Sequence, residues 1–305
     1  MSERIYPIPI DIILDILSRS STTSIARFGL SSKLSQSLLR GPDFTEWFLT
    51  RPSTRPRLLF AVENFGKWRF YSSPQDPDED QSLEVSAEFH MQLPKNMGQE
   101  VFGPVSGLLY FPNFWTDKVP VICNPMIGML KRLTQMRSKF SSSSLLGYDP
   151  IGRQYKVLKI TYSRYGSEEQ VLTLGTRKVS WRKVQCPVIH YPPIKEGKCI
   201  NGVLYYITAF HYQYKVVKIG CFDVRYERLR FLEEDSTTRN ISCCSSPIKL
   251  INYKGKLGVI SWNWDSIRRV FELCLWILED DEKQEWLKLE CTLPVVPGFL
   301  SFALM

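Results

Sequence analysis

The chain has 305 residues, 44% hydrophobic and 13% aromatic, and carries 39 basic against 31 acidic side chains for a net charge of +8. That is enough apolar material for a sizeable core, and it excludes a disordered or collagen-like chain. No stretch approaches the roughly 18 consecutive apolar residues of a membrane helix, and MSERIYPIPI lacks the pattern of a secretory leader, so the expected location is intracellular, in cytoplasm or nucleus.

Pro9 suits the approach to a first helix that runs to about Arg19, with the Asp11 carboxylate near its positive end. Ile12, Ile13, Ile16 and Leu17 recur at spacings of three and four, and Ile10 and Leu14 widen the stripe until little of the surface is polar. A second helix starts in the cap cluster at 21–24 and carries Ile25 and Phe28; a third, over 32–40, brings Leu34 and Leu38 together and stops at Gly41-Pro42. Burying an Ile, Leu or Phe contributes about 1.5–3 kcal/mol. Three helices this short cannot cover all of these side chains among themselves, so they need a partner or the rest of the chain.

Beyond residue 56 the texture changes to short apolar runs separated by turns. RLLFAV, a turn in ENFGK and WRFYS read as a hairpin. PQDPDED at 74–80 reads as an acidic surface loop, because Pro74 and Pro77 bar regular structure. The densest basic cluster, Lys131, Arg132, Arg137 and Lys139 running into serines 141–144, reads as a solvated loop. Elsewhere basic residues are scattered along the chain, which argues against nucleic acid as the partner.

A strand-turn-strand pattern recurs in VICNPMIGMLKRL, VLTLGTRKVSWRKV, IGCFDVRYERLRFL and LWILEDDEKQEWLKL. Its turns at Asn124, Gly175, Asp223 and Asp280 are 51, 48 and 57 residues apart, close to the ~50 of kelch-like propeller blades. SGLLYF at 106, NGVLYYIT at 201 and KGKLGVISW at 254 each add a glycine turn feeding an inner strand. The period is uneven, so a β-sandwich also fits the pattern. The chain as a whole reads as α+β: a small N-terminal three-helix module over 7–50, a short linker at 51–56, and an all-β, propeller-like (kelch-like) domain over 57–305.

The eight cysteines show no CxxC spacing and no nearby His in a Cys/His ligand pattern, so no metal and no cofactor is expected and the thiols read as small apolar residues. Cys243 and Cys244 would sense oxidants only if exposed. His90, His190 and His211 lack HxH or HExxH spacing, and GPVSG at 103–107 lacks the strand-turn-helix setting of a nucleophile. Asp280-Asp281-Glu282 reads as a hairpin tip. No catalytic constellation emerges, and the expected role is non-catalytic.

IPxDxxxDILSR, then SIARF, SK, LL and PDF, resembles the F-box, the helical module that docks substrate receptors on the Skp-type linker of a Skp-cullin-F-box ubiquitin ligase. The resemblance covers about residues 7–44 and implies linker contacts from Pro9, Ile12, Ile13, Ile16, Leu17, Ile25, Phe28, Lys33 and Leu38. Where plant F-boxes have Leu-Pro after SR, this chain has Ser20-Ser21; Ser31 replaces Val and Ser35 replaces Trp. Truncating a buried interface aromatic costs about 2 kcal/mol or more, so loss of the indole is expected to weaken docking roughly thirtyfold, and the other losses compound it.

From 57 to about 290, GPVSGLLYF, ICNPMIG, LGYDPIGRQYKVLKI, VLTLGTRKVSWRKV, CINGVLYYIT, CFDVRYERLRF, LINYKGKLGVI and LWILEDDEKQEW resemble the F-box-associated domain (type 3) of plant F-box proteins. The resemblance implies a propeller-like domain that binds a protein substrate, while other subunits transfer ubiquitin. Trp115, Trp262 and Trp264, near turn signals, are the candidate substrate contacts; Trp181 and Trp286 fall at repeat-equivalent places that favour packing. Three readings follow in order: a ligase substrate receptor, a β-domain interaction module whose altered F-box no longer docks, and a basic nucleic-acid binder.

Overall fold

The computed structural model describes residues 8–18, 22–40, 57–74, 87–94, 100–112, 119–133, 140–176, 180–211, 216–233, 247–268 and 270–294. The acidic stretch at 75–80, Trp115, Ser20, Ser21, Cys243, Cys244 and the apolar C-terminal residues 295–305 lie outside them. The chain divides into two compact units, Met1–Leu133 and Thr134–Met305.

Three short helices open the first unit: α1 (Ile10–Ser18), α2 (Thr22–Ser31) and α3 (Lys33–Arg40). The Pro9 carbonyl accepts the first helical hydrogen bond, from the Ile13 amide at 3.2 Å. A proline costs nothing there, because the N–H it lacks would have had no intrahelical acceptor. At α3 the Ser32 hydroxyl accepts from the Ser35 amide at 3.0 Å, an N-cap that explains why two helices meet at a single intervening residue.

After the helices, β1 (Arg57–Asn64), β2 (Lys67–Pro74) and β3 (Glu88–Gln92) form an antiparallel sheet in that order. A second sheet runs β4 (Phe102–Val105), β5 (Leu108–Phe111), β6 (Val121–Asn124) and β7 (Met129–Arg132). The two bury a shared cluster: Trp68, Phe70 and Leu93 from the first, Leu109, Phe111, Val121 and Cys123 from the second. Phe111 meets Trp68 and Phe70 edge-on, at centroid separations of 5.9 and 6.5 Å, the favoured arrangement for paired rings. Within this unit α2 lies beside the 3-10 turn at Pro125–Ile127.

The second unit holds three four-stranded antiparallel meanders. They are β8 (Ser141–Asp149) to β11 (Trp181–Val184) through β9 (Gln154–Ser163) and β10 (Gly166–Thr173); β12 (Lys198–Ile200) to β15 (Arg228–Phe231) through β13 (Val203–His211) and β14 (Val216–Asp223); and β16 (Ile248–Tyr253) to β19 (Glu285–Pro294) through β17 (Lys256–Asp265) and β18 (Val270–Asp280). The middle sheet is apolar on both faces. Tyr205, Ile207, Ile219 and Cys221 pack against Leu250, Leu257, Val259, Trp276 and Leu278 of the last sheet. On the opposite face Leu204 and Val224 approach Gly147 of β8. That two-sided burial is why NGVLYYIT reads as a continuous apolar run rather than an alternation.

The repeat read from the sequence has a physical counterpart. Asn124, Gly175, Asp223 and Asp280 all mark the connection between third and fourth strands of a sheet. The first-to-second connections Phe65-Gly66, Ser106-Gly107, Asn201-Gly202 and Lys254-Gly255 each place two consecutive residues at positive φ, from 43° to 51° and then 76° to 84°. That is the two-residue hairpin geometry in which glycine relieves the strain at the second position. Five separate meanders displace the sandwich alternative.

One expectation fails. Serines 141–144 are not a solvated loop but the first half of β8, with Ser143 and Ser144 buried. They pair with Ile160 and Lys159 of β9, and ladder pairing of a small side chain overrides weak strand propensity.

Gly220 of β14 lies opposite Tyr206 of β13. A Cβ there would stand 2.7 and 2.8 Å from Cε2 and Cε1 of the fully buried tyrosine ring. Gly220→Ala is therefore expected to destabilise the chain by about 1–3 kcal/mol through overpacking. Thermal unfolding followed by circular dichroism checks this; an unchanged midpoint would contradict it.

Candidate interaction surfaces

Among the described residues, several apolar side chains of the helices are exposed. Leu17 is 6% exposed, but Ile8, Ile10, Ile12 and Ile16 are 60, 55, 47 and 55% exposed and Leu34 is 68% exposed. Pro9 and Lys33 are also exposed, Ile13, Phe28 and Leu38 are half-buried, and the Ile25 side chain lies outside what the structure describes. The Ser35 hydroxyl, by contrast, faces inward. Ser35 is 6% exposed, and its Oγ lies 3.0 Å from Ser31 Oγ and 2.7 Å from Ser32 Oγ. Ser35 is thus covered within this chain and joined to the hydroxyls of the exposed Ser31 and Ser32. Ser31 is exposed, with its hydroxyl donating back to the Phe28 carbonyl at 2.7 Å.

Among the candidate tryptophans, Trp262 and Trp264 are in β17 itself, not in a loop. Opposite them on β18 stand Leu273 and Phe271, and the Trp264 and Phe271 rings lie 4.9 Å apart. Trp262 is half-buried and Trp264 is just exposed, so Trp264 is the one with surface to offer. Trp286 packs against the core cluster, as its repeat position suggested.

The turns present other side chains that sequence reasoning passed over. In the second unit Asn201 Nδ2 donates to the Gly255 carbonyl at 3.0 Å, which brings first-to-second strand turns of two sheets together. The second-to-third strand turns therefore lie at the other end of these sheets. Tyr165 in the turn between β9 and β10 and Ile267 in the turn between β17 and β18 are strongly exposed, as is Ile189 in the segment after β11, and Trp264 stands near the end of β17.

A third constellation is enclosed. Glu169 of β10 and Cys186 and His190 of the segment after β11 converge. His190 Nδ1 lies 3.5 Å from Glu169 Oε1 and 3.7 Å from Cys186 Sγ. Its Nε2 lies 3.2 Å from the Tyr206 hydroxyl. His190 is fully buried and Glu169 nearly so. Burial pushes the histidine down to about 4 against the opposing Val188 carbonyl, pushes the Cys186 thiol up to about 11 and raises Glu169, so the isolated cluster favours neutral groups. The sequence reading overlooked that Cys186 and His190 stand four residues apart, a ligand-like spacing; Glu169, 17 residues upstream, is brought in only by the fold.

Residues 57–300 match the family model of the F-box associated beta propeller domain. The chain belongs to that family. Two Arabidopsis thaliana proteins designated as F-box proteins resemble it nearly end to end. At5g52620 is 59% identical over 299 residues, covering 95% of this chain and 78% of its own length. At3g57590 is 43% identical over 296 residues, covering 94% and 72%. Among solved structures, an α-L-arabinofuranosidase from Clostridium thermocellum aligns over 81% of this chain and 97% of its own with 14% identity and a TM-score of 0.38, too distant to carry an argument. The five sheets are the blades of this β-propeller domain. Among the described residues no helix is long and apolar enough to cross a membrane.

Adjacent blades of the F-box-associated domain in the second unit are tied by charge as well as by apolar packing. Glu227, in the turn between β14 and β15, receives Lys156 Nζ of β9 at 2.7 Å, Arg182 Nε of β11 at 2.8 Å, and a second close contact from the Arg182 guanidinium. Partial burial would raise the Glu227 carboxyl, but the hydrogen bonds from Arg182 and Lys156 outweigh it and hold the group below the usual carboxylate range. Lys156 is nearly buried, so Glu227→Gln would leave its ammonium without an anion. The expected cost is about 2 kcal/mol near pH 7, below the 3–5 kcal/mol of a fully buried pair because Glu227 retains some solvent. Because the folded carboxyl titrates below its unfolded value, its contribution is complete above that unfolded value. It is lost as pH falls through the folded one. The difference in unfolding midpoint between parent and variant should therefore close as pH drops below about 4. A difference that stays constant with pH would contradict the ion pair.

Proposed function

We propose that the chain is a substrate receptor of a Skp-cullin-F-box ubiquitin ligase. In this reading residues 7–50 dock on the Skp-type linker subunit, and through it on cullin, while the β domain over 57–305 holds a protein substrate. The family and the F-box designation of its relatives support the general role. The observation that carries docking is the exposure of Ile8, Ile10, Ile12, Ile16 and Leu34 on helices that precede a well-buried β domain. Each of these side chains is about half exposed, so a partner that covers them recovers roughly half of the 1.5–3 kcal/mol that full burial of such a residue contributes.

The receptor acts inside the cell, without a cofactor and without chemistry of its own. It raises the effective concentration of a bound protein near the subunit that carries ubiquitin. The exposed Trp264 and Tyr165 are the side chains proposed to contact the substrate, since rigid aromatics are the side chains that anchor protein interfaces best.

Calorimetric titration of the full chain with a Skp-type linker subunit tests the proposal. The natural sequence is expected to bind in the nanomolar to low-micromolar range, Ile12→Glu with Ile16→Glu to bind more than tenfold more weakly, and Trp264→Ala to bind unchanged. Ser35→Trp should not tighten binding, because the position faces inward. Absence of binding by the natural sequence would leave a β-domain interaction module that joins no ligase.

A further inference from the structure

We propose that Glu169, Cys186 and His190 form a binding site for a zinc-class divalent cation, completed by the Val188 main-chain carbonyl. The donors are an imidazole nitrogen, a thiol sulfur, a carboxylate oxygen and a carbonyl oxygen, a mixed set that suits zinc better than the oxygen-only preference of calcium or magnesium.

The spacing fits a single ion. Zn–S near 2.3 Å and Zn–N or Zn–O near 2.0 Å in a tetrahedron put donor atoms about 3.3–3.6 Å apart. The glutamate oxygen and the cysteine sulfur lie 3.5 and 3.7 Å from His190 Nδ1. The Val188 oxygen lies 3.0 Å from Cys186 Sγ and 3.5 Å from His190 Nδ1. The three side-chain donor atoms all fall within 4.8 Å of one another.

Two further features point to a ligand rather than to a self-sufficient hydrogen-bond cluster. Glu169 is 4% exposed, yet its Oε1 has no hydrogen-bond partner, since 3.5 Å to His190 is too long for one. A buried carboxylate oxygen with no donor is costly, and a cation removes the cost. The other ring nitrogen of His190 already has its partner in the Tyr206 hydroxyl. With the ion on Nδ1 the proton sits on Nε2 and is donated to that hydroxyl, the outer contact that metal-bound histidines characteristically make. Charge also balances: a divalent cation with one thiolate, one carboxylate and one neutral imidazole is neutral overall, as a buried site requires.

The position suggests a structural ion. Cys186 and His190 belong to the segment between β11 and β12, which is held to the middle sheet by Tyr191 N to Ala209 O and Ile194 N to Ile207 O, both at 2.9 Å. Glu169 is on the preceding sheet, so the ion would clasp two neighbouring blades.

The test uses the full chain, stripped with a chelator and titrated with Co²⁺ as a spectroscopic stand-in, then with Zn²⁺. The expected result is one equivalent of cobalt with thiolate charge-transfer and tetrahedral d–d bands, displaced by zinc. Iodoacetamide labelling read by peptide mass spectrometry should show Cys186 protected by zinc while the exposed Cys291 stays reactive. Cys186→Ser and His190→Gln should each weaken binding more than about a hundredfold, beyond the 10–100-fold typical of outer-contact changes. Should either variant fail to fold, the labelling of the natural chain still decides. A natively folded chain that takes up no equivalent, or takes one up without protecting Cys186, would overturn the proposal.

Discussion

Everything in the β domain follows from one constraint: a four-stranded sheet that is apolar on both faces cannot be stable until a neighbour covers each face. The middle sheet of the second unit shows it most clearly. Tyr205, Ile207, Ile219 and Cys221 close against Leu257, Val259 and Trp276 on one side. Tyr206 and Phe222 point to the other and are fully buried. Glycine sets how closely the layers approach where Gly147 leaves room for Val224, and within the middle sheet Gly220 leaves room for the Tyr206 ring. The Lys156–Glu227–Arg182 cluster then fixes the lateral register of two layers whose apolar contacts alone would be less specific.

The helices do not meet that constraint from within. Leu17 is buried, but the isoleucines around it stay half in water. Exposed isoleucines at the N-terminus are the surface proposed to meet a partner.

Much of the architecture was legible because the turns are locally encoded. X-Gly pairs mark hairpins whatever the surroundings, and the recurrence of Asn124, Gly175, Asp223 and Asp280 exposed the repeat. What local signals could not reveal depends on contacts distant in sequence. The serines 141–144 look like a loop until β9 pairs with them. The hydroxyl contacts of Ser35 with Ser31 and Ser32 likewise carry no sequence signal beyond the spacing of the serines. Trp262 and Trp264, read as lying near a turn, extend the inner strand to Asp265. Glu169 is joined to Cys186 and His190 only by sheet geometry, although the four-residue step between the last two was open to view.

The central claim is a proposed division of labour between helices that expose apolar side chains for a linker subunit and sheets that bury the core of the β domain. Hydrogen–deuterium exchange of the full chain, alone and saturated with a Skp-type linker subunit, tests it most directly. The account predicts new protection confined to peptides from residues 8–40, with the peptides of β8 to β19 unchanged. Protection spread across the sheets, with none on the helices, would contradict it.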